Sequence, residues 1–125
     1  MSVAQKTLPA TIAAGQSLSN GVLLGDYTLA GVLTPPNWTG TAGLSYQISF
    51  DSGNTWYELN DSTGAAVSLP SATAPSTFYA IDVRNPSLTG VTMIKIRSGS
   101  VGTPVTQTTA SLLQVVGRRI YPGTD

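Results

Sequence analysis

Short segments in which apolar and polar residues alternate one by one are the feature that most constrains the fold of this chain. The clearest segment covers residues 44–50 (LSYQISF), and its apolar members fall on one face: Leu44, Tyr46, Ile48 and Phe50. A period of two residues is that of a β-strand with one buried face. Helix-forming residues do not recur at spacings of three and four for more than one turn. The pattern therefore predicts an all-β fold.

The spacing of such segments predicts how the strands are arranged. Glycine, proline, asparagine and aspartate separate nine candidate strands, at residues 8–14, 22–24, 27–33, 44–51, 55–59, 66–69, 78–83, 91–98 and 110–120. Many short strands at close spacing are typical of a single-domain antiparallel β-sandwich of jelly-roll or Greek-key type, here with about eight strands. Periodicity does not choose between these two topologies.

The length of the chain predicts its domain organisation. With 125 residues, 41% of them hydrophobic, the chain has enough apolar surface for one core and one domain over residues 1–125. The termini, at about residues 1–8 and 121–125, are expected to be flexible or extended and to reach onto a neighbouring molecule. No apolar run is long enough for a membrane helix, and an interrupted run near the N-terminus favours an intracellular start over a secretory signal.

Missing residue types exclude several kinds of chemistry. The chain has no cysteine and no histidine, so it lacks disulfides, thiol nucleophiles and the commonest general base and metal ligand. Six basic and six acidic side chains give a net charge of zero, which is not the footprint of a nucleic-acid-binding protein. Arg118 and Arg119 form too small a patch to change this, and one of them is expected to cap or pair at an interface. We expect no catalytic residue, no cofactor and no metal, and a protein that is not an enzyme.

One motif is recognisable by its spacing. Residues 49–56 (SFDSGNTW) resemble the Asp box of sialidase-like propellers through five positions: Ser49, Asp51, Gly53, Thr55 and Trp56. Asp51 is expected to accept amide hydrogen bonds across a tight turn, Gly53 to take a positive φ, and Thr55 to add a hydroxyl bond. One copy of the motif cannot build the blades of a propeller. We therefore expect a structural hairpin over residues 44–59, in which Trp56 begins the return strand.

Carboxylates near this motif offer two weaker alternatives. The carboxylates are those of Asp51, Glu58 and Asp61. Two of them are the residue type of a glycosidase pair, and together with Asn54 or Asn60 they are the oxygen ligands that Ca²⁺ prefers. Asp51 is expected to be occupied by its own turn, and residues 61–64 (DSTG) have the composition of a second turn. The spacing is not that of an EF-hand-like calcium loop, so neither alternative is the predicted function.

Aromatic residues suggest a contact with protein or glycan. Trp38 lies in a proline-rich loop and is expected to be exposed, and an exposed tryptophan marks a binding contact. Together with Trp56 and Tyr57 it supplies a platform on which sugar rings can stack. The alternative is that Trp56 and most tyrosines pack in the core or against the hairpin.

A second alternating segment, at residues 92–97, adds two basic candidates to the contact residues. Ile94 and Ile96 are expected to point inward, and Lys95 and Arg97 to point to solvent or to a partner.

The order of several short motifs resembles that of a small group of tailed-phage and prophage proteins. The resemblance covers about residues 11 to 116, and its segments are 12–19 (IAAGQSLS), 24–25 (LG), 29–32 (LAGV), 36–39 (PNWT), the hairpin of residues 51–56, 94–99 (IKIRSG) and 103–107 (TPVTQ). The individual motifs are short and structural, so the specificity of the match comes from their order.

This resemblance implies a virion structural protein encoded among head and tail genes, assembled in the cytoplasm of the bacterial host. Small β-sandwich proteins of phage particles often decorate or cement the capsid, in many cases as trimers, and others sit at the head–tail junction or on the tail. The implied partners are the major capsid protein or other virion proteins, and further copies of the chain, without nucleic acid or membrane. A sugar-binding module for host attachment remains an alternative. A charged fraction of only 10% fits a surface that neighbours cover.

Overall fold

The structure, a computed structural model, describes residues 2–88 and 91–121 and forms eight β-strands over that part of the chain. The strands run in chain order as β1 (Ser2–Ile12), β2 (Val22–Leu23), β3 (Thr28–Leu33), β4 (Leu44–Ser49), β5 (Tyr57–Glu58), β6 (Phe78–Ala80), β7 (Met93–Ser98) and β8 (Ser111–Tyr121). Within the described residues, no helix has the length and apolar character needed to cross a membrane.

The strands form two antiparallel sheets that pack as a β-sandwich. Sheet A has the strand order β1-β8-β3-β6, and sheet B has the order β2-β7-β4-β5. The first strand therefore pairs with the last, the second with the seventh, the third with the sixth and the fourth with the fifth. This order is that of one long hairpin folded over into two sheets, which is a jelly roll. The predicted all-β sandwich is confirmed, and the strand order selects the jelly roll.

The core lies between the inner faces of the two sheets. It contains the alternating apolar residues of β4 and β7: Leu44, Tyr46, Ile48, Ile94 and Ile96. Burial raises the pKa of the Tyr46 phenol, whose hydroxyl donates to the carbonyl oxygen of Leu69 at 2.5 Å. Phe50 was predicted to share this face, but it is 74% exposed because β4 ends at Ser49 and the chain then turns.

The predicted strands at residues 66–69 and 78–83 differ from the observed structure. Residues 66–69 form no strand, although the amide of Val67 donates to the carbonyl oxygen of Leu59 and the amide of Leu69 to that of Leu44, both at 3.1 Å, so the nine predicted strands become eight. β6 ends at Ala80, earlier than predicted, because residues 81–88 turn through local bonds such as that from the amide of Asn85 to the carbonyl oxygen of Asp82. Isolated backbone bonds replace the predicted ladder at residues 66–69, and a local turn replaces its end after Ala80.

The N-terminal residues belong to the sandwich. β1 pairs with β8 over its whole length, from Ser2 opposite Tyr121 to Ile12 opposite Ser111. Residues 2–8 are therefore extended but pair within the molecule, whereas we expected them to reach onto a neighbour. β8 makes the difference, because it supplies a backbone partner for each of these residues. Of the predicted C-terminal extension at 121–125, only Tyr121 lies within the described residues.

β1 is an edge strand of sheet A, and Pro9 lies within it. The backbone groups of Thr11 point away from β8, because its amide donates to Oδ1 of Asn20 at 2.7 Å and its carbonyl oxygen accepts from the Asn20 amide at 3.2 Å. The alternation of an antiparallel pair gives the backbone groups of Thr7 and Pro9 the same outward direction. Proline lacks an N–H and is tolerated where that group would face solvent. Pro9 therefore fits β1 without removing a hydrogen bond to β8.

Candidate functional site

Asp51 organises the turn that follows β4. Its Oδ1 accepts hydrogen bonds from the Ser49 hydroxyl and from the Thr55 amide, both at 2.8 Å. The Ser49 hydroxyl oxygen accepts in turn from the Gly53 amide at 2.8 Å. Hydrogen bonds from the hydroxyl and then the amide of Thr55, and from Ser49, hold the pKa of the Asp51 carboxyl below its ordinary value. The motif thus closes a tight turn around one ionised carboxylate.

Trp56 lies beside this turn and is half-buried. Gly53 takes a φ of +92°, which favours glycine because a side chain would be strained there. The carbonyl oxygen of Gly53 accepts from the Trp56 indole nitrogen at 3.0 Å, so the ring folds back toward the turn. The ammonium of Lys95 lies 4.6 Å from the centroid of the Trp56 ring, a cation–π contact from β7. Lys95 therefore covers an aromatic ring of its own molecule.

Arg97 and Glu58 form an ion pair that spans β7, β4 and β5 on the outer face of sheet B. The guanidinium donates from Nη1 to Oε1 of Glu58 at 2.6 Å and from Nη2 to Oε2 at 2.7 Å. Nη1 also donates to the Ser45 hydroxyl at 3.3 Å, and Gln47 Nε2 donates to Oε2 at 2.6 Å. The Arg97 hydrogen bond lowers the pKa of the Glu58 carboxyl, and the same pair raises the pKa of Arg97.

The expectation that Arg97 points to solvent or to a partner is wrong. Its side chain lies on the outward side of β7 but is only 8% exposed, because it lies across the sheet toward Glu58. Register explains the contact, since Arg97 is opposite Ser45 and Gln47 is opposite Glu58 on neighbouring strands. The bidentate pair satisfies a charge that would otherwise need water.

The candidate carboxylates serve separate structural roles rather than forming a catalytic pair. Oδ1 of Asp61 accepts from the hydroxyl and the amide of Thr63, at 2.6 and 2.9 Å, which closes the turn at residues 61–64. These two bonds, the hydroxyl bond first, lower the pKa of the Asp61 carboxyl. Asp51 holds its own turn and Glu58 pairs with Arg97. Among the described residues, no group of three or more Asp, Glu, His or Cys side chains could hold a metal ion.

The expectation that Trp38 is exposed is wrong. The side chain is 5% exposed and belongs to the hydrophobic core. Its indole nitrogen donates to the Thr73 hydroxyl at 2.8 Å, and that hydroxyl donates to the carbonyl oxygen of Ala42 at 2.6 Å. The proline-rich loop turns the ring inward, where a large apolar surface is removed from water and its one polar atom has a partner.

The three aromatic residues of the expected sugar platform have three different environments. Trp38 is buried, Trp56 lies beneath Lys95, and Tyr57 is 55% exposed. Within the described residues, the ring contact of Tyr57 is with Phe50, at 6.4 Å between centroids. The structure therefore does not bring these three rings together.

An exposed apolar patch on the outer face of sheet A is a feature that the sequence did not reveal. We define the apolar patch by five residues from three segments: Leu33, Pro35, Pro36, Phe78 and Leu112. Leu33 lies opposite Phe78 on one side and Gln114 on the other, and Leu112 shares the face of Gln114. Leu33, Phe78 and Leu112 are 37%, 47% and 45% exposed.

The apolar patch surrounds a shallow depression that the proline-rich loop helps to form. The depression has a volume of about 350 Å³ and is lined mainly by Leu33, Pro35, Pro36 and Leu112. Asn37 fixes the loop, because its Nδ2 donates to the Thr109 hydroxyl at 2.8 Å and to the carbonyl oxygen of Ala110 at 3.0 Å. These hydrogen bonds fix the position of the loop that carries Pro35 and Pro36 in the apolar patch. Its three segments are far apart in the chain, so only the strand pairing could have identified it.

Comparison with family models, with curated proteins and with solved structures found no match for this chain.

Proposed function

We propose that this protein is a non-enzymatic structural protein of a bacteriophage virion that decorates or cements the capsid through protein–protein contacts. The apolar patch on sheet A is the observation that carries this proposal. Clustered exposed apolar side chains, such as these, are a typical feature of protein contact sites. A neighbour that covers the patch removes from water three large side chains that are now more than one-third exposed: Leu33, Phe78 and Leu112.

Two further observations support a structural role. The carboxylates nearest to a catalytic arrangement are engaged in turns and in an ion pair, which suits a building block. The order of motifs from residue 12 to residue 107 resembles that of tailed-phage and prophage proteins, which supports a role as a component of a virion.

The test is direct imaging of purified particles that carry the protein. Many regularly spaced copies over the shell are expected for a decoration protein, with the outer face of sheet A against the capsid. A few copies at the neck or on the tail would overturn capsid decoration and support the alternative of a head–tail or tail-associated protein.

A double variant tests whether the apolar patch makes the contact. Phe78→Ser with Leu112→Ser should reduce binding to capsids that lack the protein by at least about tenfold, since each change removes about 1 to 2 kcal/mol of apolar burial. Leu23→Ser is the matched control, because Leu23 is 60% exposed on a strand of the other sheet. Equal capsid binding by the double variant and the control would exclude the patch as the contact surface.

The sugar-binding alternative makes a different prediction. It needs an aromatic platform, and Trp38, on which it mainly relied, is buried. A glycan array that finds a specific ligand would nevertheless support this alternative over capsid decoration.

A further inference from the structure

Four of the six basic side chains of this net-neutral chain gather at one end of sheet A: Lys6, Arg84, Arg118 and Arg119. Lys6 and Arg119 share one aromatic ring, since the Lys6 ammonium lies 4.8 Å and the Arg119 guanidinium carbon 5.0 Å from the centroid of Tyr27. The two other basic residues, Lys95 and Arg97, lie in sheet B and contact Trp56 and Glu58. Positive charge is therefore concentrated in one region of a neutral molecule.

This basic end contains a pocket of about 260 Å³. Its wall is formed by six residues from three parts of the chain: Asp26, Thr28, Val83, Arg84, Arg118 and Arg119. Strand pairing places Thr28 opposite Arg118, and residues 81–88 bring Arg84 to the same opening. The jelly roll thus joins two arginines that lie 34 positions apart in the sequence.

The carboxylates near the pocket leave part of its positive charge unbalanced. Asp26 pairs with Arg119, and the hydrogen bond from Arg119 lowers the pKa of the Asp26 carboxyl, to which the charge of Lys6 also contributes. Asp82 instead accepts from the backbone amide of Arg84, at 2.9 Å. Arg118 uses its Nε to donate to the Gln5 side chain at 3.1 Å.

Two guanidinium groups therefore line one pocket without an acidic partner among the described residues. Over residues 2–88 and 91–121, no carboxylate pairs with the side chain of Arg84 or with the terminal nitrogens of Arg118. Guanidinium groups present paired N–H donors that match the oxygens of carboxylate and phosphate. Both side chains are exposed, so an anion from solution can reach them.

We propose that this pocket binds an oxyanion, a carboxylate or a phosphate group, held between Arg84 and Arg118 with the Thr28 hydroxyl as a further donor. A single anionic group fits better than a long polyanion, because Asp26 lies in the pocket wall and the rest of the surface carries Asp51 and Asp61. Arg118 lies near the C-terminal end of β8, whereas Leu112 lies near its N-terminal end, so the site is separate from the apolar patch. The inference goes beyond capsid decoration and does not depend on it.

The experiment is an NMR titration of the isotope-labelled full chain at constant ionic strength, with chloride as the balancing anion. Inorganic phosphate and glutarate are added separately, and the Nε–H signals of Arg84 and Arg118 are followed. Both signals should shift and saturate with at least one of the two anions. Saturation with phosphate alone identifies a phosphate site, saturation with glutarate alone identifies a carboxylate site, and saturation with both supports the shared chemistry.

Three variants distinguish binding of an anion in this pocket from a general attraction of anions to positive charge on the protein. Arg84→Gln and Arg118→Gln should each weaken anion binding by at least about tenfold, because each removes one charged donor pair. Lys95→Gln removes the same charge from the other sheet and should leave the affinity unchanged. Shifts that never saturate, equal affinity in all three variants, or binding of a short DNA duplex without binding of either small anion would overturn the proposal.

Discussion

At Glu58, one carboxylate accepts hydrogen bonds from two neighbouring strands, through Gln47 on β4 and Arg97 on β7. Glu58→Gln should lower the free energy of unfolding at neutral pH by about 1 to 2 kcal/mol, because it leaves the buried Arg97 without a counter-charge. The expected loss is smaller than for a fully buried ion pair, because 34% of the Glu58 side chain is exposed and water screens its charge.

The pH dependence of that difference is a sharper measurement. Since the folded-state pKa of Glu58 is lowered, its stabilisation is complete above the unfolded value of about 4.3 and is lost as the pH falls through the folded pKa. Urea unfolding should therefore show a large gap between wild type and Glu58→Gln at pH 7 and a smaller gap at pH 3. A gap of the same size at both pH values would show that the ion pair is not the source of the stability.

Individual residues were predictable from sequence where their partners are close in the chain. The roles of Ser49, Asp51 and Gly53 follow from spacing, because the turn is closed by groups at most four positions apart. Trp38 and Arg97 were not predictable in this way, since their partners lie 35 and 39 positions away. Burial of such side chains is decided by which strands become neighbours, and the local pattern does not contain that information.

Among the strands, β1 offers the clearest test of backbone direction. Thr7 lies two residues before Pro9, so its N–H also points away from β8. The change Thr7→Pro should therefore remove no hydrogen bond from the ladder. Lys6→Pro, one residue earlier, should remove one and cost about 1 to 3 kcal/mol more than Thr7→Pro. Both costs are measured by urea unfolding, each relative to alanine at the same position, which corrects for the loss of the side chain. Equal destabilisation by the two prolines would show that the strand direction assigned here is wrong.

Strand positions were predictable where alternation is regular and the strand is long, as in β4 and β7. The pattern did not identify the start of β1, because residues 2–7 owe their extended form to pairing with β8 at the far end of the chain. The interpretation of residues 66–69 as a strand failed because their backbone bonds to Leu59 and Leu44 are isolated and do not continue into a ladder. Pairing across long sequence distances fixes elements that composition alone leaves open.

For the molecule as a whole, the jelly-roll order makes folding depend on contacts between distant parts of the chain. A circular permutant that joins residue 121 to residue 2 by a short flexible linker, and opens between Val101 and Gly102, turns the β1–β8 pairing into a local hairpin. Val101 is 63% exposed, so the new ends disturb little packing. The loop-closure cost of the pairing should fall by up to about 2 kcal/mol, and folding should become faster.

Stopped-flow refolding, followed by tryptophan fluorescence, to which the buried Trp38 contributes, measures this rate. The matched control is the natural chain order with the same linker added at the C-terminus. A permutant that is as stable as the control but folds no faster would show that β1 and β8 pair only after the rate-limiting step.

The side-by-side position of Ser2 and Tyr121 has a practical consequence for joining this protein to others. Ser2 and Tyr121 face each other at one end of sheet A, and Leu112 of the apolar patch lies at the other end of β8, about 30 Å away at the usual rise of a strand. A peptide or enzyme joined directly before Ser2 or directly after Tyr121 leaves the sandwich at that same edge, remote from the apolar patch. The molecule is thus suited to display a cargo while the patch stays open to its partner, whereas the same cargo would crowd the pocket of Arg84 and Arg118.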